Sequence, residues 1–284
     1  MAVSFKADSD HNIAKIVLIG VLLVAAVAGL MILVNHYFIQ KALVQKEPLT
    51  ILLLGTGSDS GSGSVSKTLA ANDAMVLVFC NPAASRISFL SIPRGKQGIS
   101  GMSQGSASNP EQTSNEVSQW VGVPINRYLA VDQQGFKELV DVLGGITVDI
   151  PVELHYRDRW GRDLYRFASG RQVLDGEKAL IYVKLTESSG DELGRVQRQQ
   201  EFLKAVLKKA RNQANILRVA EYNSIIRKYL KTDIKFEEML KIGNFLKEID
   251  SGDLDAYVLP GRENNGVWEP DRSSLAELLR KLEP

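Results

Sequence analysis

The stretch Gly190-Asp-Glu-Leu-Gly-Arg-Val-Gln-Arg-Gln-Gln200 carries the clearest chemical signal in this chain. Arg195, Arg198 and Gln199 are spaced i, i+3 and i+4, which places them on one face of the first turn of a helix. The macrodipole is positive at that end, and free backbone N–H groups point outward. Arginines there disfavour the isolated helix by about 0.3–1 kcal/mol each, and an anion reverses that sign. An arginine fork grips phosphate oxygens in pairs, which lysine does not. The chemistry indicated is an anion site for a phosphate or pyrophosphate. The plainer alternative has the arginines pairing with the neighbouring acids Asp191 and Glu192. Residues Arg195 to Lys231 hold ten basic side chains and two acidic ones, and about half of that charge reads as solvated helix faces.

Two other motifs point to chemistry their surroundings do not support. Gly101-Met-Ser-Gln-Gly105 matches the G-x-S-x-G nucleophile elbow, which needs a strand before it and a helix after it. Here it sits in a polar stretch, with His155 the only histidine downstream. Gly61 to Thr68 approaches a phosphate-binding loop, but Ser66 stands where the second glycine belongs. The segment that follows opens a strand rather than a helix, so it reads as a flexible linker.

The elements that must position the arginine face alternate between strand and helix. Leu49–Leu54 is an apolar strand ended by Gly55, Ala74–Cys80 a second, and Arg86–Ile92 its hairpin partner, closed by Pro93. Gly95–Ser118 reads as a long exposed loop, being polar, poor in charge and short of apolar anchors. Strands follow at Arg127–Val131, at Ile146–Ile150 before Pro151, at Leu180–Leu185 and at Ala256–Pro260. Helices are expected at Gln134–Val142, stopped by Gly144-Gly145, and at Gln197–Asn212, with Phe202, Leu203, Val206 and Leu207 on one face. Further helices are expected at Glu221–Leu230, Phe236–Ile249 and Arg272–Leu282. The implied fold class is α/β, an αβα sandwich around a mixed, largely buried β-sheet.

Composition narrows the function classes. Hydrophobic residues at 44% and charged residues at 24% describe a folded globular chain, and exclude a disordered chain, a collagen-like fibre and a multi-span transporter. A net charge of +1 gives no general affinity for nucleic acid, and no helix-turn-helix pattern supports DNA binding. The single cysteine, Cys80, forms no internal disulfide and builds no structural zinc site; at a strand end it reads as a small buried hydrophobe.

Residues Ile16 to Val34 form 19 consecutive positions without a charge. As a helix they span about 28 Å, close to the hydrocarbon thickness of a bilayer. Ala26-Val27-Ala28 resembles a signal-peptidase site, but the apolar run continues past it, and Asp8 and Asp10 precede it. Both features favour an uncleaved anchor. Lys6 and Lys15 on one side balance Lys41 and Lys46 on the other, so flanking charge does not orient the span. The expected organisation is a tail over 1–15, a transmembrane helix over 16–34, a stalk over 35–48 and one α/β domain over 49–284.

The 190–200 stretch resembles the G-D-x-G-R-x-x-R-Q-Q signature of the LytR–CpsA–Psr (LCP) family. Other stretches agree in order and spacing. Leu52-Leu-Leu-Gly-Thr56 resembles the family's opening strand, Asn72-Asp73-Ala-Met75 its S-D-T-M segment, and Phe89-Leu-Ser-Ile-Pro-Arg94 its L-S-I-P-R-D strand. Phe136 to Gly145, Gly170 to Leu180, Leu259-Pro-Gly261 and Trp268-x-Pro270 match later family segments. The resemblance covers about residues 49 to 280 and implies a bacterial protein with a cytoplasmic N-terminus, one membrane anchor and an extracytoplasmic domain. Such proteins are similar to phosphotransferases that move a glycopolymer from a polyprenyl-pyrophosphate carrier to peptidoglycan. The implied partners are therefore the polyprenyl-pyrophosphate-linked polysaccharide, peptidoglycan and membrane lipid, with no nucleic acid.

The resemblance also assigns residues. Asp73 is the implied ligand for Mg²⁺ (or Mn²⁺), and Arg94, Arg195 and Gln199 are the implied pyrophosphate contacts, supported by Arg198 from helix geometry. Asp191 or Glu192 takes the family's acidic position, to orient Arg195 or to assist proton removal from the acceptor hydroxyl. Several positions depart from the pattern. Gly57 follows Thr56 where the family has Asp, leaving Asp59 as the nearest acid and second metal candidate. Gly95 follows Arg94 where the family has Asp, and Lys184 and Thr186 replace an R-x-R, making Lys184 the remaining cation there. The family's K-x-N-x-A-Y segment is absent from Gly95–Ser118. These departures leave a second class open, a non-catalytic relative that binds lipid-linked polymer or wall-assembly partners.

Overall fold

The structure is a computed structural model that describes residues 47–56, 74–93, 98–100, 109–157, 160–185, 192–212, 228–249 and 253–282. All of them belong to one compact unit, Gln45–Pro284. The expected anchor at 16–34, the stalk up to residue 46, the Gly61–Thr68 motif and the G-x-S-x-G motif lie outside the described residues. Among those that are described, no helix is long and apolar enough to cross a membrane.

Six strands build the central sheet. They are β1 (Leu49–Thr56), β2 (Ala74–Asn81), β3 (Arg86–Ser91), β5 (Arg127–Asp132), β10 (Leu230–Thr232) and β11 (Leu254–Val258), in the order β10-β5-β1-β2-β3-β11. β1 runs parallel to β5 and β11 parallel to β3, while β2 is antiparallel to both β1 and β3. Hence β1, β3, β5 and β11 all point the same way, and their carboxyl ends Thr56, Ser91, Asp132 and Val258 share one edge.

Side-chain alternation buries both faces of this sheet. Leu52, Leu54, Leu77, Phe79 and Leu90 pack on one side against α1 (Pro110–Val121) and α6 (Arg272–Leu282). Ile51, Val76, Val78, Ile87 and Phe89 pack on the other against Phe245 of α5 (Phe236–Glu248) and Leu203 and Leu207 of α4 (Glu192–Asn212). The αβα sandwich therefore forms as expected. Cys80 lies within the second layer, and burial pushes its thiol up to about 12, so it stays protonated and inert at neutral pH.

A satellite core flanks the sandwich. Here α2 (Gln133–Val142), α3 (Gly176–Lys184) and Phe202, Ala205 and Val206 of α4 cover the ladder of β6 (Ile146–Ile150) and β9 (Gly170–Leu174). A second hairpin, β7 (Leu154–Arg157) with β8 (Asp163–Phe167), buries only its base in this core. A three-stranded sheet joins β12 (Gly261–Asn264), β13 (Val267–Pro270) and the short β4 (Gly98–Ile99).

Three expected elements are corrected. The stretch read as an exposed loop over Gly95–Ser118 contains β4 and most of α1. That helix opens on the Asn109 side chain, which accepts from the Gln112 N–H at 3.1 Å, has Pro110 in its first turn, and closes on Gly122 at φ +86°. Its buried face, Thr113, Val117, Trp120 and Val121, has helical spacing but begins with a small polar residue. The stretch Leu180–Leu185, read as a strand from its branched and aromatic side chains, forms the end of α3. Asp175 caps it by accepting from the Lys178 N–H at 2.9 Å, and Ala179, Tyr182 and Val183 bury at i, i+3 and i+4. Gly176 is required there, because a Cβ would lie 2.3 Å from the Lys137 carbonyl oxygen on α2. Leu230, the expected end of a helix from Glu221, instead starts β10, while 221–227 lies outside the described residues. The β7–β8 and β12–β13 hairpins are additions to the expected elements.

One ion pair ties α5 to the sheet. Arg127 at the start of β5 donates from Nε and Nη2 to the two Glu238 carboxylate oxygens at 2.9 and 2.5 Å. These hydrogen bonds, joined by the Lys235 N–H, hold the Glu238 carboxyl down at about 2. A carboxylate depressed in the folded state stabilises above its unfolded value, about 4.3, and loses that contribution as pH falls toward the folded one. Glu238→Gln is expected to lower stability by about 1–2 kcal/mol near neutral pH, with the gap to wild type closing as urea melts are taken down toward about pH 2. A pH-independent gap would assign the loss to packing instead.

Candidate functional site

The site is built at the carboxyl edge of the parallel strands, where α/β sheets place their ligands. The Glu192–Gln200 part of the signature forms the start of α4, which spans Glu192–Asn212 rather than beginning at Gln197. Its amphipathic face serves two cores. Phe202 packs at 5.5 Å centroid distance from Phe136 in the satellite core, while Leu203 and Leu207 face the sheet. At its far end Lys209 Nζ donates to the Gly144 and Gly145 carbonyls, satisfying the chain just beyond α2.

Gln200 fixes the near end. It is 7% exposed, and its Nε2 donates to Ser91 Oγ at 2.9 Å and to the Tyr257 carbonyl at 2.7 Å. Both N–H bonds of one amide are thus used on two parallel strands, β3 and β11. Ser91 is itself only 2% exposed, and its carbonyl accepts from the Leu259 N–H at 2.8 Å. The first turns of α4 are in this way set against the end of β3, from which the chain continues through Ile92 and Pro93.

The sequence-expected residues divide into three groups. Arg195, Arg198 and Gln199 are half-buried on the first turns of α4, as their spacing requires. Two of them turn toward α3. Arg198 donates from Nη2 to the Leu185 carbonyl, and Gln199 Nε2 donates to the Val183 carbonyl at 3.1 Å. They satisfy acceptors at the carboxyl end of α3, whose negative dipole end meets the positive end of α4. Lys184 is exposed on the last turn of α3. Asp59, Asp73, Arg94 and Asp191 lie outside the described residues, as does the Glu192 side chain, although the Glu192 backbone opens α4. The described neighbours of two of these mark where they enter: Ala74 pairs with Gly55, and Ser91, two residues before Pro93, pairs with Val76.

Behind the arginines, Tyr182 is buried against Phe167, edge-on at 5.8 Å. Burial pushes its phenol up, and the nearby Arg198 charge opposes that rise. Tyr182 is therefore a neutral hydroxyl at physiological pH rather than a base. Among the described residues no group of three or more His, Cys, Asp or Glu side chains could hold a metal ion. Those residues thus supply no donor set for Mg²⁺.

Gln200 is the functional residue that chemistry-first reading passed over. Its signal lay in the sequence. Val196, Gln200, Leu203 and Leu207 share one helical stripe, and an amide on an otherwise apolar stripe must find partners inside the protein.

Known proteins share this sequence pattern and fold. The model of the LytR_cpsA_psr family matches residues 34–283. The Bacillus licheniformis polyisoprenyl-teichoic acid–peptidoglycan teichoic acid transferase TagU is 27% identical over 248 residues, covering 83% of this chain and 77% of that protein. Bacillus subtilis TagV, which bears the same transferase description, is 25% identical over 260 residues, covering 84% of this chain and 65% of its own length. The crystal structure of B. subtilis TagV superposes with a TM-score of 0.68 at 25% identity, covering 84% of this chain and 97% of that one. With its signature helix seated at the strand ends and the match running over 34–283, the chain belongs to the LytR_cpsA_psr family.

Proposed function

We propose that this protein is a membrane-anchored phosphotransferase that moves a glycopolymer from a polyprenyl-pyrophosphate carrier to peptidoglycan or another cell-envelope acceptor. The observation that carries this reading is the position of the first turns of α4. They carry Arg195 five residues before Gln200, whose amide ties α4 to Ser91 at the end of β3, the strand that leads into Arg94. Relatives named as teichoic acid transferases that act between a polyisoprenyl carrier and peptidoglycan support it.

In this reading residues 16–34 anchor the chain, with 1–15 cytoplasmic, 35–48 a stalk and 49–284 extracytoplasmic. Asp73 and Arg94 join Arg195 at the strand ends, Asp73 with Asp59 as ligands for Mg²⁺ or Mn²⁺. An acceptor hydroxyl attacks the sugar-bearing phosphorus, the P–O bond to lipid phosphate breaks, and lipid phosphate leaves. Negative charge spreads over the phosphoryl oxygens in the transition state. The N-terminal N–H groups of α4 and the Arg195 guanidinium stabilise it there, in fixed positions that need no reorganisation. Arg198 and Gln199 contribute mainly by holding α3 against α4, and Lys184 adds positive charge at the exposed rim. Asp191 or Glu192 orients Arg195 or takes the acceptor proton.

The full-length protein, reconstituted with a polyprenyl-pyrophosphate oligosaccharide and Mg²⁺, is expected to release lipid phosphate, and Arg195→Ala to slow that release about 10²-fold. Binding without release, abolished by the same substitution, would instead establish the non-catalytic, polymer-binding relative. Gln200→Leu leaves Ser91 and the Tyr257 carbonyl without their donor and is expected to cost about 1–3 kcal/mol in denaturant melts. It should also lower turnover at temperatures where circular dichroism shows it fully folded. Undiminished turnover there would remove Gln200 from the positioning of the site.

A further inference from the structure

Most of the exposed large hydrophobic side chains among the described residues lie close together in sequence. Val152, Tyr156, Trp160, Leu164, Tyr165 and Val173 all fall between residues 152 and 173, and the remaining one, Leu193, lies on the first turn of α4. Trp160 is 66% exposed and Leu164 54%. Four of the six belong to the β7–β8 hairpin and its turn.

The hairpin has two unlike faces. At its base Leu154 pairs with Phe167, both buried in the satellite core. One step outward on the same face, Tyr156 pairs with Tyr165, and both are open to solvent. The opposite face is ionic. His155 lies 2.8 Å from both Glu153 and Asp163, Arg157 bonds Asp163 at 2.7 Å, and Arg166 bonds Glu153 at 2.7 Å. Beyond the strands, the Arg162 guanidinium sits 5.1 Å over the Trp160 ring. This network stiffens a two-stranded ribbon that would be marginal alone in water. It gives the outer aromatic half no burial.

The chemistry of that tip is specific. Trp and Tyr rings beside leucine and arginine are the combination found at the water–bilayer interface, where ring and stem enter the acyl boundary and guanidinium meets phosphate. A sugar chain would stack on the aromatic faces but gain little from Leu164. Arg157, Arg162 and Arg166 outnumber Glu153 and Asp163, which suits an anionic headgroup layer.

We propose that the β7–β8 hairpin is a bilayer-contacting element, seating Trp160 and Leu164 among lipid headgroups with its arginines toward lipid phosphates. The inference rests on the reading of residues 16–34 as a membrane anchor. It adds an orientation to that reading. Tyr165 stacks on Phe167 at 6.5 Å, Phe167 meets Tyr182 edge-on, and Tyr182 lies beside Arg198. A seated hairpin therefore brings the junction of α3 and α4 toward the headgroup layer, the depth at which a lipid-borne pyrophosphate resides.

The test uses the full-length chain reconstituted into phosphatidylcholine vesicles, with and without phosphatidylglycerol, containing phospholipid brominated near the headgroup. Trp120 and Trp268 are buried at 8% and 4% exposure, so lipid quenching reports on Trp160. Quenching is expected in wild type, to be lost in Trp160→Phe, reduced in Leu164→Asp, stronger with phosphatidylglycerol and weakened by salt. Equal quenching in wild type and Trp160→Phe overturns the proposal. A chain that resists carbonate extraction yet shows no quenching overturns the hairpin contact and leaves the anchor standing. A chain stripped by carbonate overturns both. Trp160 emission that responds to soluble peptidoglycan fragments and not to brominated lipid assigns the hairpin to a glycan instead.

Discussion

The Gln200 amide is the constraint around which the site is organised. Burying an amide without partners costs about 1–3 kcal/mol, so a glutamine on the apolar stripe of a long helix holds that helix where its donors are met. Here the partners are Ser91 on β3 and the Tyr257 carbonyl on β11. Apolar contacts such as those of Leu203 and Leu207 tolerate a small slide along the sheet, and a pair of directed hydrogen bonds does not. The helix is held at its other end by Lys209 on the Gly144 and Gly145 carbonyls, so its axis is fixed at two points. Arg195, five residues before Gln200 on the same helix, is thereby held relative to the end of β3.

The meeting of α3 and α4 shows how electrostatic needs of the fold and of a binding site become shared. The carboxyl end of α3 leaves acceptors that water or side chains must satisfy, and Arg198 and Gln199 supply donors from the facing helix. Placing cations at the positive end of α4 is locally unfavourable, but the negative end of α3 beside it relieves part of that cost. The two readings of the signature, a local electrostatic role and an anion site, are therefore not exclusive. Arg198 and Gln199 satisfy the helix junction, and Arg195 lies one turn earlier on the same helix.

Legibility followed the physics of each element. Strands β1 and β2 were readable because both faces of the sheet are buried and the runs from Leu49 and Ala74 are almost wholly apolar, whereas the three-residue edge strand β10 offers no such run. Helix α6 was readable at both ends because its apolar positions recur every three to four residues. Helix α1 escaped because Thr113 and Ser114 fill core positions that larger apolar residues usually mark, although the Asn109-Pro110 start signal was present. Helix α3 escaped because Leu-Ile-Tyr-Val satisfies strand propensity, and only the Asp175 cap and the tight Gly176 contact with α2 decide for helix. At the site, reading for charge found Arg195 and its neighbours but not the neutral residue that seats them. Charges announce themselves by type, whereas a buried amide is recognisable only by the apolar stripe it interrupts.

The surface follows from the same accounting of what is buried. The sheet consumes its hydrophobic side chains on two faces, and the satellite core consumes those of β6, β9 and the facing helices. The β7–β8 ribbon is the exception, because only its first rung reaches a core and the next rung faces solvent. A ribbon needing nothing more than solubility gains from polar residues at such positions, as the His155 face with its Arg157–Asp163 and Arg166–Glu153 ion pairs shows. The contrast between the two faces of one hairpin cannot arise from propensity, since both faces share the same backbone. It leaves the ribbon with two chemically different faces, ionic around His155 and aromatic at Tyr156 and Tyr165. Because the first rung of that hairpin is Phe167, the packing partner of Tyr182 beside α4, any surface that takes up the tip is mechanically continuous with the helix that carries Arg195.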